Sequence, residues 1–351
     1  MKKLLLQHTP VWFFCSIILL GFATACEPEI NETFEPILTT TEPVQVEEEI
    51  STTVAPMATE DLSGVLLVAS PESDPNSVSQ IQSALSMLLV EGESVLLLQE
   101  SFSPNMITLN VKVVIGVGPN LNLSDIAASK PDVSFVAVED PTAIPASNLS
   151  VIGDPIFERQ SQAFLAGYLS ALISEDYKVA ALIPEDIESM DVLIESYMIG
   201  AEFFCGVCNP LHPPYNDFPY WQTLSIEDSS SGFEPVIDSL VNYGVEVIFI
   251  PKVLTSSELL SYVASLGMKV ISDGYPDLAR NNWVGTVTLD LGAALVDLWP
   301  SLITNPEGVQ IPGAIILTNT DTGLVSEGRR RLFDEMAADL QAGLVSPRTA
   351  P

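Results

Sequence analysis

Short apolar runs alternate with segments of helical periodicity along most of the chain from Leu62 onwards. A run such as GVLLVAS (64–70) is apolar at consecutive positions, which is typical of a strand covered on both faces. Further strands are predicted at 94–100, 111–118, 133–140, 149–154, 178–184, 221–226, 245–251, 268–274, 283–290 and 313–319. Apolar residues at helical spacing predict helices at 77–89, 125–129, 155–174, 187–204, 233–243, 256–266, 292–303 and 326–342.

This alternation of strands and helices predicts an α/β fold in which helices cover both faces of parallel sheets. The strands are more numerous than one twisted sheet comfortably holds. We therefore expect two doubly wound parallel-sheet lobes joined by a hinge.

The helix that contains QAFLAGYLSALIS (162–174) has small residues at its centre, Ala166 and Gly167. Glycine costs roughly 1 kcal/mol relative to alanine in a helix interior, so its presence there needs a reason. We expect a flat neighbour, either a sheet or another backbone, to lie close against this helix.

The first 25 residues have the pattern of a secretory signal peptide. Lys2 and Lys3 precede a short apolar run, and small residues lead to Cys26. The motif ATAC (23–26) resembles the bacterial lipobox, although Ala23 occupies the position where leucine is usual. We expect lipidation of Cys26 and attachment to the cell membrane through acyl chains, outside the cytoplasm. An ordinary cleaved signal and an uncleaved anchor are the alternatives.

Residues 26–61 are rich in Glu, Thr and Pro and contain no Lys or Arg. Such a composition cannot bury enough apolar surface to fold by itself. Repulsion between its like charges favours extension, so we predict a linker between the membrane and the folded region.

The formal net charge of −33 over 351 residues is the extreme feature of the composition. It argues against nucleic acid as a partner, because that binding depends on Lys and Arg. It also argues against a basic patch for anionic lipid headgroups. An acidic solvated surface explains the charge most simply, and a cationic ligand is the alternative.

Cys205 and Cys208 lie in CGVC, the cysteine pair of the folded region. A disulfide is favoured outside the cytoplasm, with free thiols as the alternative. A zinc site has weaker support, since His212 is the single nearby third ligand. We predict no metal site.

The sequence lacks a glycine-rich phosphate loop, a nucleophile elbow and a paired metal motif. His212 is the one histidine after the signal segment, and it lies in a loop of irregular composition. We therefore predict a protein that is not an enzyme and that needs no cofactor.

The chain resembles the BMP family of basic membrane lipoproteins in the order of four motifs, which are FLAGYLSALIS (164–174), KVAALIP (178–184), GVEVIFIP (244–251) and LGMKVISDGYPD (266–277). These are type 1 periplasmic-binding-protein-like proteins that include bacterial purine nucleoside receptors. The resemblance implies a two-lobed domain over 62–345, with a first lobe at 62–154 and 276–312 and a second at 155–275 and 313–345. It also implies that the helix with Gly167 packs against the sheet of the second lobe.

In such a fold the ligand lies between the lobes, at the carboxyl ends of both sheets. Asp273 falls where the family has its ribose-binding acid, and aromatic side chains can stack a base. The residues that we expect to line this cleft follow predicted strands or precede the hinge: Asp273, Trp221, Asp74, Glu139, Tyr275, Asp277, Phe157 and Ser70.

The chain departs from the family at three places. SDPNSVSQ (73–80) keeps Asp74 but lacks the Phe-Asn that follows it in the family. KVLTSSELL (252–260) replaces a glycine-rich turn, and VGTVTLDLG (284–292) lacks an expected Lys. The fold therefore follows from the resemblance more firmly than a nucleoside ligand does.

Together these patterns predict a lipid-anchored, extracytoplasmic solute-binding protein that serves an ABC permease. The ligand would be a small molecule, with a nucleoside as one candidate. A surface sensor that uses the same clamshell without transport is the main alternative. An enzyme and a scaffold with a vestigial cleft remain further alternatives.

Overall fold

The computed structural model describes residues 64–89, 94–98, 102–185, 190–275, 281–304 and 307–348. The predicted signal segment, Cys26, the linker and Asp277 lie outside these residues. Within the described ranges, no helix combines the length and apolar character that crossing a bilayer requires.

The elements of the first sheet and its helices are β1 (Gly64–Ala69), α1 (Pro75–Leu88), β2 (Ser94–Leu98), β3 (Val111–Val117), α2 (Leu123–Ser129), β4 (Ser134–Val138) and β5 (Leu149–Ile152), with β11 (Gln310–Ile311) added from later in the chain. The strands have the order β11-β5-β4-β3-β1-β2 and are all paired in parallel.

The elements of the second sheet and its helices are α3 (Pro155–Ile173), β6 (Val179–Pro184), α4 (Met190–Cys205), β7 (Tyr220–Leu224), α5 (Glu234–Tyr243), β8 (Val247–Phe249), α6 (Ser257–Ser265), β9 (Lys269–Ser272), β10 (Trp283–Asp290), β12 (Ala314–Thr318) and α8 (Glu327–Gln341). The strands have the order β12-β10-β9-β8-β6-β7, and every pair is parallel except β10 with β12. Helix α7 (Leu291–Thr304) packs on α1 of the first lobe.

These sheets confirm the predicted α/β fold with two parallel-sheet lobes. One strand assignment was wrong: β10 belongs to the second sheet, although 276–312 was expected in the first lobe. Strand β11, which was not predicted, joins the first sheet. The strand WVGTVTLD is buried over most of its length, and its pattern gives no information on which of the two sheets will accept it.

Side chains of β1 explain why its apolar run is continuous. Val65 and Leu67 face one hydrophobic core, which includes residues of α1 and α7. Leu66 and Val68 face a second core on the opposite side of the sheet, which includes residues of α2. Because successive side chains of a strand point to opposite faces, both positions of the pattern must be apolar here.

Gly167 is required by the packing of α3 against α4. A Cβ atom on Gly167 would collide with the carbonyl oxygen of Tyr197 and lie 2.9 Å from the nitrogen of Ala201. A Cβ atom on Gly200 of α4 would likewise collide with the carbonyl oxygen of Phe164. The flat neighbour predicted for this helix is therefore the backbone of α4. Helix α3 does pack on the second sheet, at β6 and β8, but Gly167 faces α4 rather than that sheet.

Cys205 and Cys208 form a disulfide at the end of α4, with their Cα atoms 4.9 Å apart. The loop that follows is fixed by a buried ion pair, in which Lys178 Nζ lies 2.7 Å from Asp176 Oδ2. Asp176 also accepts hydrogen bonds from the backbone N–H groups of Leu211 and His212. Burial alone would raise the pKa of Asp176, but the contact with Lys178 and these two backbone hydrogen bonds lower the pKa below its ordinary value.

Candidate functional site

A cleft lies between the lobes, where the carboxyl ends of strands from both sheets meet. Both lobes belong to one compact unit of the chain. The larger part of the cleft is a cavity of about 320 Å³. A smaller part of about 160 Å³ adjoins it, and both share Glu139, Gln162, Asp273 and Leu289 as lining residues.

Asp74 has two roles at the first-lobe wall. It is the N-cap of α1, where its Oδ1 accepts a hydrogen bond of 3.0 Å from Asn76 N, and Pro75 begins the helix. Its second oxygen, Oδ2, lies 2.5 Å from Nζ of Lys252 in the second lobe. One carboxylate therefore fixes the start of α1 and joins the two lobes.

Glu139 directly follows β4 and has a left-handed backbone, with φ of 54°. Such a conformation is uncommon for a residue other than glycine and is often found at functional sites. Burial raises the pKa of Glu139, and Asp74 raises it further, while a hydrogen bond with Ser77 and the charge of Lys252 oppose the rise.

Asp273 directly follows β9 and faces Glu139 from the second lobe. Its carboxylate accepts a hydrogen bond from the backbone N–H of Lys252. Burial raises the pKa of Asp273, and this hydrogen bond together with the charges of Lys252 and Arg159 reduces the rise. Asp273 lines both parts of the cleft.

Glu158 lies at the hinge, lines the larger cavity and is only 6% exposed. The chain passes between the lobes at Gly153–Pro155, at Asp290–Leu291 and at Pro312–Gly313. Oε1 of Glu158 accepts a 2.8 Å hydrogen bond from Gly313 N. Burial raises the pKa of Glu158, and hydrogen bonds from the backbone of Gly313 and Asp154 oppose this.

Two further hydrogen bonds tie the crossing segments together. Gln162 Nε2 donates to the carbonyl of Val287 at 3.0 Å, and Gln310 Nε2 donates to that of Gly153 at 3.0 Å. The first contact connects α3 with β10, and the second connects β11 with the crossing segment at Gly153–Pro155. Of the side chains that hold the hinge, Glu158 and Gln162 also line the cleft.

The sequence identified three of the acids in the cleft, namely Asp74, Glu139 and Asp273. It missed Glu158 and both cations, Arg159 and Lys252. Glu158 and Arg159 lie in the first turns of α3, immediately after the Asp154-Pro155 cap, so their position next to the hinge was a signal that could have been used.

Other predicted residues lie elsewhere. Trp221 is the second residue of strand β7, where it pairs with Ala181 near the amino end of the second sheet and is 38% exposed. Its expected place in the cleft was wrong, because the irregular loop precedes β7 and therefore leads to the edge of the sheet opposite the cleft. Phe157 is half-buried in the first turn of α3 and lines neither part of the cleft.

Ser70 and Tyr275 follow β1 and β9 as predicted but make local contacts. The hydroxyl of Ser70 accepts a hydrogen bond from Glu72 N at 3.3 Å, and Ser70 lines a separate depression. The hydroxyl of Tyr275 lies 2.8 Å from Oγ1 of Thr318. A ligand-binding role for either residue stays a prediction.

Among the described residues that line the cleft there is no Phe, Tyr or Trp. The described chain also contains no group of three His, Cys, Asp or Glu side chains able to hold a metal ion. The cleft can therefore offer charges and hydrogen bonds to a small polar molecule, and it offers no ring for stacking from these residues.

A scan of protein-family models and a search of curated proteins give no match to this chain. Solved structures do match. An ABC transporter solute-binding protein from Conexibacter woesei DSM 14684 is 16% identical, with a TM-score of 0.57, and the match covers 81% of this chain and 98% of that one. An ABC transporter solute-binding protein from Aeropyrum pernix K1 is 14% identical, with a TM-score of 0.52, covering 81% and 92%.

A transcriptional activator of the comK gene from Bacillus halodurans is 14% identical, with a TM-score of 0.56, and the match covers 80% of this chain and 98% of that one. At such low identity these likenesses establish the fold alone. The chain thus has the two-lobed α/β fold found in ABC transporter solute-binding proteins and in at least one transcriptional activator.

Proposed function

We propose that this chain is an extracytoplasmic solute-binding protein that delivers a small polar molecule to an ABC permease. The observation that carries the proposal is the cleft itself, in which Asp74 and Glu139 of one lobe face Asp273 and Lys252 of the other. A molecule bound there touches both lobes, so its binding energy favours the closed form over the open one. The similarity to two solute-binding proteins supports this role.

The proposal includes a lipid anchor on Cys26, which would keep the protein at the outer face of a membrane. The lipobox-like ATAC and the acidic linker at 26–61 support it. Expression in a bacterial host followed by membrane fractionation tests this part. Cys26→Ser should move the protein from the membrane fraction to the soluble fraction, and mass spectrometry should find acyl chains on Cys26. An unmodified Cys26 would contradict the anchor.

The resemblance to the BMP family implies a nucleoside as one ligand. In that case Asp273 would accept hydrogen bonds from two ribose hydroxyls. The absence of an aromatic ring from the described lining weakens this candidate, because a base would find no stacking partner there.

A surface sensor is the second candidate function. It is favoured by the similarity to the transcriptional activator, which shows that this fold is not confined to transport. A sensor would bind its ligand in the same cleft but would pass the closed conformation to a signalling partner rather than to a permease. Reconstituted ligand uptake with a candidate permease separates the two functions.

Thermal unfolding of the full chain, purified in mild detergent, tests ligand binding. Nucleosides, sugars, amino acids and amines are added at millimolar concentration. A ligand at a hundredfold excess over its dissociation constant should stabilise the chain by about 2.7 kcal/mol.

The stabilisation should be lost in Asp273→Asn and kept in Glu258→Gln, whose side chain is exposed on α6 outside the cleft. If no compound of any class stabilises the chain, the proposed function fails.

A further inference from the structure

The cleft has a strong excess of negative charge. The described residues that line it include five carboxylates, which are Asp74, Glu139, Asp140, Glu158 and Asp273, against two cations, Arg159 and Lys252. Asp140 is turned to the protein, because its Oδ1 accepts hydrogen bonds from the backbone and the hydroxyl of Thr142. Lys252 pairs with Asp74. Glu139, Glu158 and Asp273 then face the larger cavity with Arg159 as the one remaining cation of the lining.

These three carboxylates reach the larger cavity from three parts of the fold. Glu139 follows β4 of the first sheet, Asp273 follows β9 of the second sheet, and Glu158 lies in α3 beside the hinge. A positive charge placed between Glu139 and Asp273 would therefore attract both lobes at once. Binding of the cationic ligand would therefore be coupled to closure of the cleft.

The fold already contains an alkyl ammonium group that joins the lobes through a carboxylate. Nζ of Lys252 lies 2.5 Å from Asp74 Oδ2 across the smaller part of the cleft, and its charge acts on both Glu139 and Asp273. This contact is a separate observation from the number of acidic residues in the lining. It shows that an ammonium at the end of a flexible apolar stem fits between the two walls.

The shape and composition of the larger cavity point to an aliphatic ligand. Its volume of about 320 Å³ is at the low end of the range for small-molecule sites. The apolar lining comes mainly from Pro141, Pro155 and Leu289, because the side chains of Val151 and Ile152 are buried in the two hydrophobic cores. The described lining has no aromatic ring. Such a surface suits a short methylene chain better than a flat base.

We infer that the ligand of this cleft is a small aliphatic amine, whose ammonium group binds between Glu139 and Asp273 and whose carbon chain lies against Leu289. The inference rests on the proposed function, since it names the class of solute that the cleft takes. Carboxylates of like charge that share a cleft repel one another without a counterion, and a bound ammonium supplies that counterion. Glu158, which also lines the cavity, favours a second positive centre on the same ligand.

Isothermal titration calorimetry on the full chain with putrescine tests the inference. Its matched neutral control is 1,4-butanediol, which has the same carbon chain with hydroxyls in place of the amines, and adenosine is the competing class. We expect putrescine to bind and the diol to bind at least a hundredfold more weakly. Glu139→Gln and Asp273→Asn should each weaken putrescine binding at least tenfold, while Glu258→Gln leaves it unchanged.

The outcomes separate this inference from the proposed function. Binding of adenosine, of the diol or of another neutral solute, without binding of putrescine or of the related amines spermidine and agmatine, overturns the amine and leaves the proposed function standing. Amine binding that Glu139→Gln and Asp273→Asn do not weaken, in variants with the wild-type unfolding temperature, also overturns it. If neither a charged nor a neutral solute binds, both the amine and the proposed function are overturned.

Discussion

The ammonium group of Lys252 lies 2.5 Å from a carboxylate oxygen of Asp74, and the two residues belong to different lobes. No ligand is needed for this contact, so the chain has an internal attraction that favours a closed cleft. The pair is partly exposed, with 51% of the Lys252 side chain accessible. Exposed ion pairs are worth up to about 1 kcal/mol, so the pair biases closure without locking it.

Removing this pair should open the cleft. Lys252→Met and Asp74→Asn should each shift the ratio of closed to open molecules by up to about fivefold, which corresponds to about 1 kcal/mol. Small-angle scattering should show a larger radius of gyration for both variants and no further increase for the double variant. Lys112→Met, at an exposed position of β3, is the control. If high salt leaves the wild-type radius unchanged, the ion pair does not govern closure.

Glu158 should make stability fall as the pH rises. Because burial raises the pKa of Glu158, with Asp154 and Glu139 adding to the rise, the folded chain holds a proton that the unfolded chain releases. Stability is therefore lost as the pH rises from the ordinary pKa of 4.5 through the raised pKa of the folded chain. Glu158→Gln, which can still accept from Gly313 N, should raise the unfolding temperature above this window.

Thermal unfolding between pH 4 and pH 8 measures this effect. Glu139 and Asp273 contribute slopes of the same sign, since burial raises their pKa values as well, so the variant should flatten the wild-type curve only in part. Glu258→Gln on the exposed face of α6 should leave the curve unchanged. Identical pH profiles for Glu158→Gln and the wild type would show that Glu158 has no shifted pKa.

Gly167→Ala should destabilise the second lobe. The added methyl group would collide with the backbone of α4 at Tyr197, and a helix backbone cannot yield as a flexible side chain does. Overpacking of this kind costs about 1–3 kcal/mol, which outweighs the gain in helix propensity. Gly328→Ala in α8, where an added Cβ meets nothing within 4 Å, should be neutral or slightly stabilising. Chemical denaturation compares the two, and equal effects would contradict close packing at Gly167.

Asp176→Asn should cost about 3 kcal/mol of folding free energy, because it leaves the buried ammonium of Lys178 without its partner. The contribution of Asp176 should be lost in the wild type as the pH falls through its lowered pKa, since that carboxylate is ionised in the folded state. The control is Glu335→Gln, which breaks an exposed pair with Arg331 and should cost less than about 0.5 kcal/mol. Equal losses for both variants, measured by urea denaturation, would exclude a special role for the buried pair.

The sequence predicted most of the strands and helices because apolar periodicity is a local signal, although β11 was missed and α1 begins at Pro75 rather than at the predicted residue 77. Asp74-Pro75 and Asp154-Pro155 are cap-and-first-turn pairs that mark the starts of α1 and α3. Continuous apolar runs mark parallel strands with both faces covered. Since polar residues that follow such strands gather at the carboxyl edge of a sheet, Asp74, Glu139 and Asp273 could be placed in one cleft from the sequence.

Other features of the site depend on how the two sheets are arranged. Contacts between segments far apart in the chain determine three of these features. They are the sheet that β10 joins, the end of the sheet at which Trp221 lies, and the approach of Lys252 to Asp74. A strand buried on both faces is apolar whichever neighbour it has, so its sequence carries no record of that neighbour. The sequence by itself therefore determined the helices, the strands and the acidic residues that follow the strands. The tertiary structure alone determined which charges face one another across the cleft.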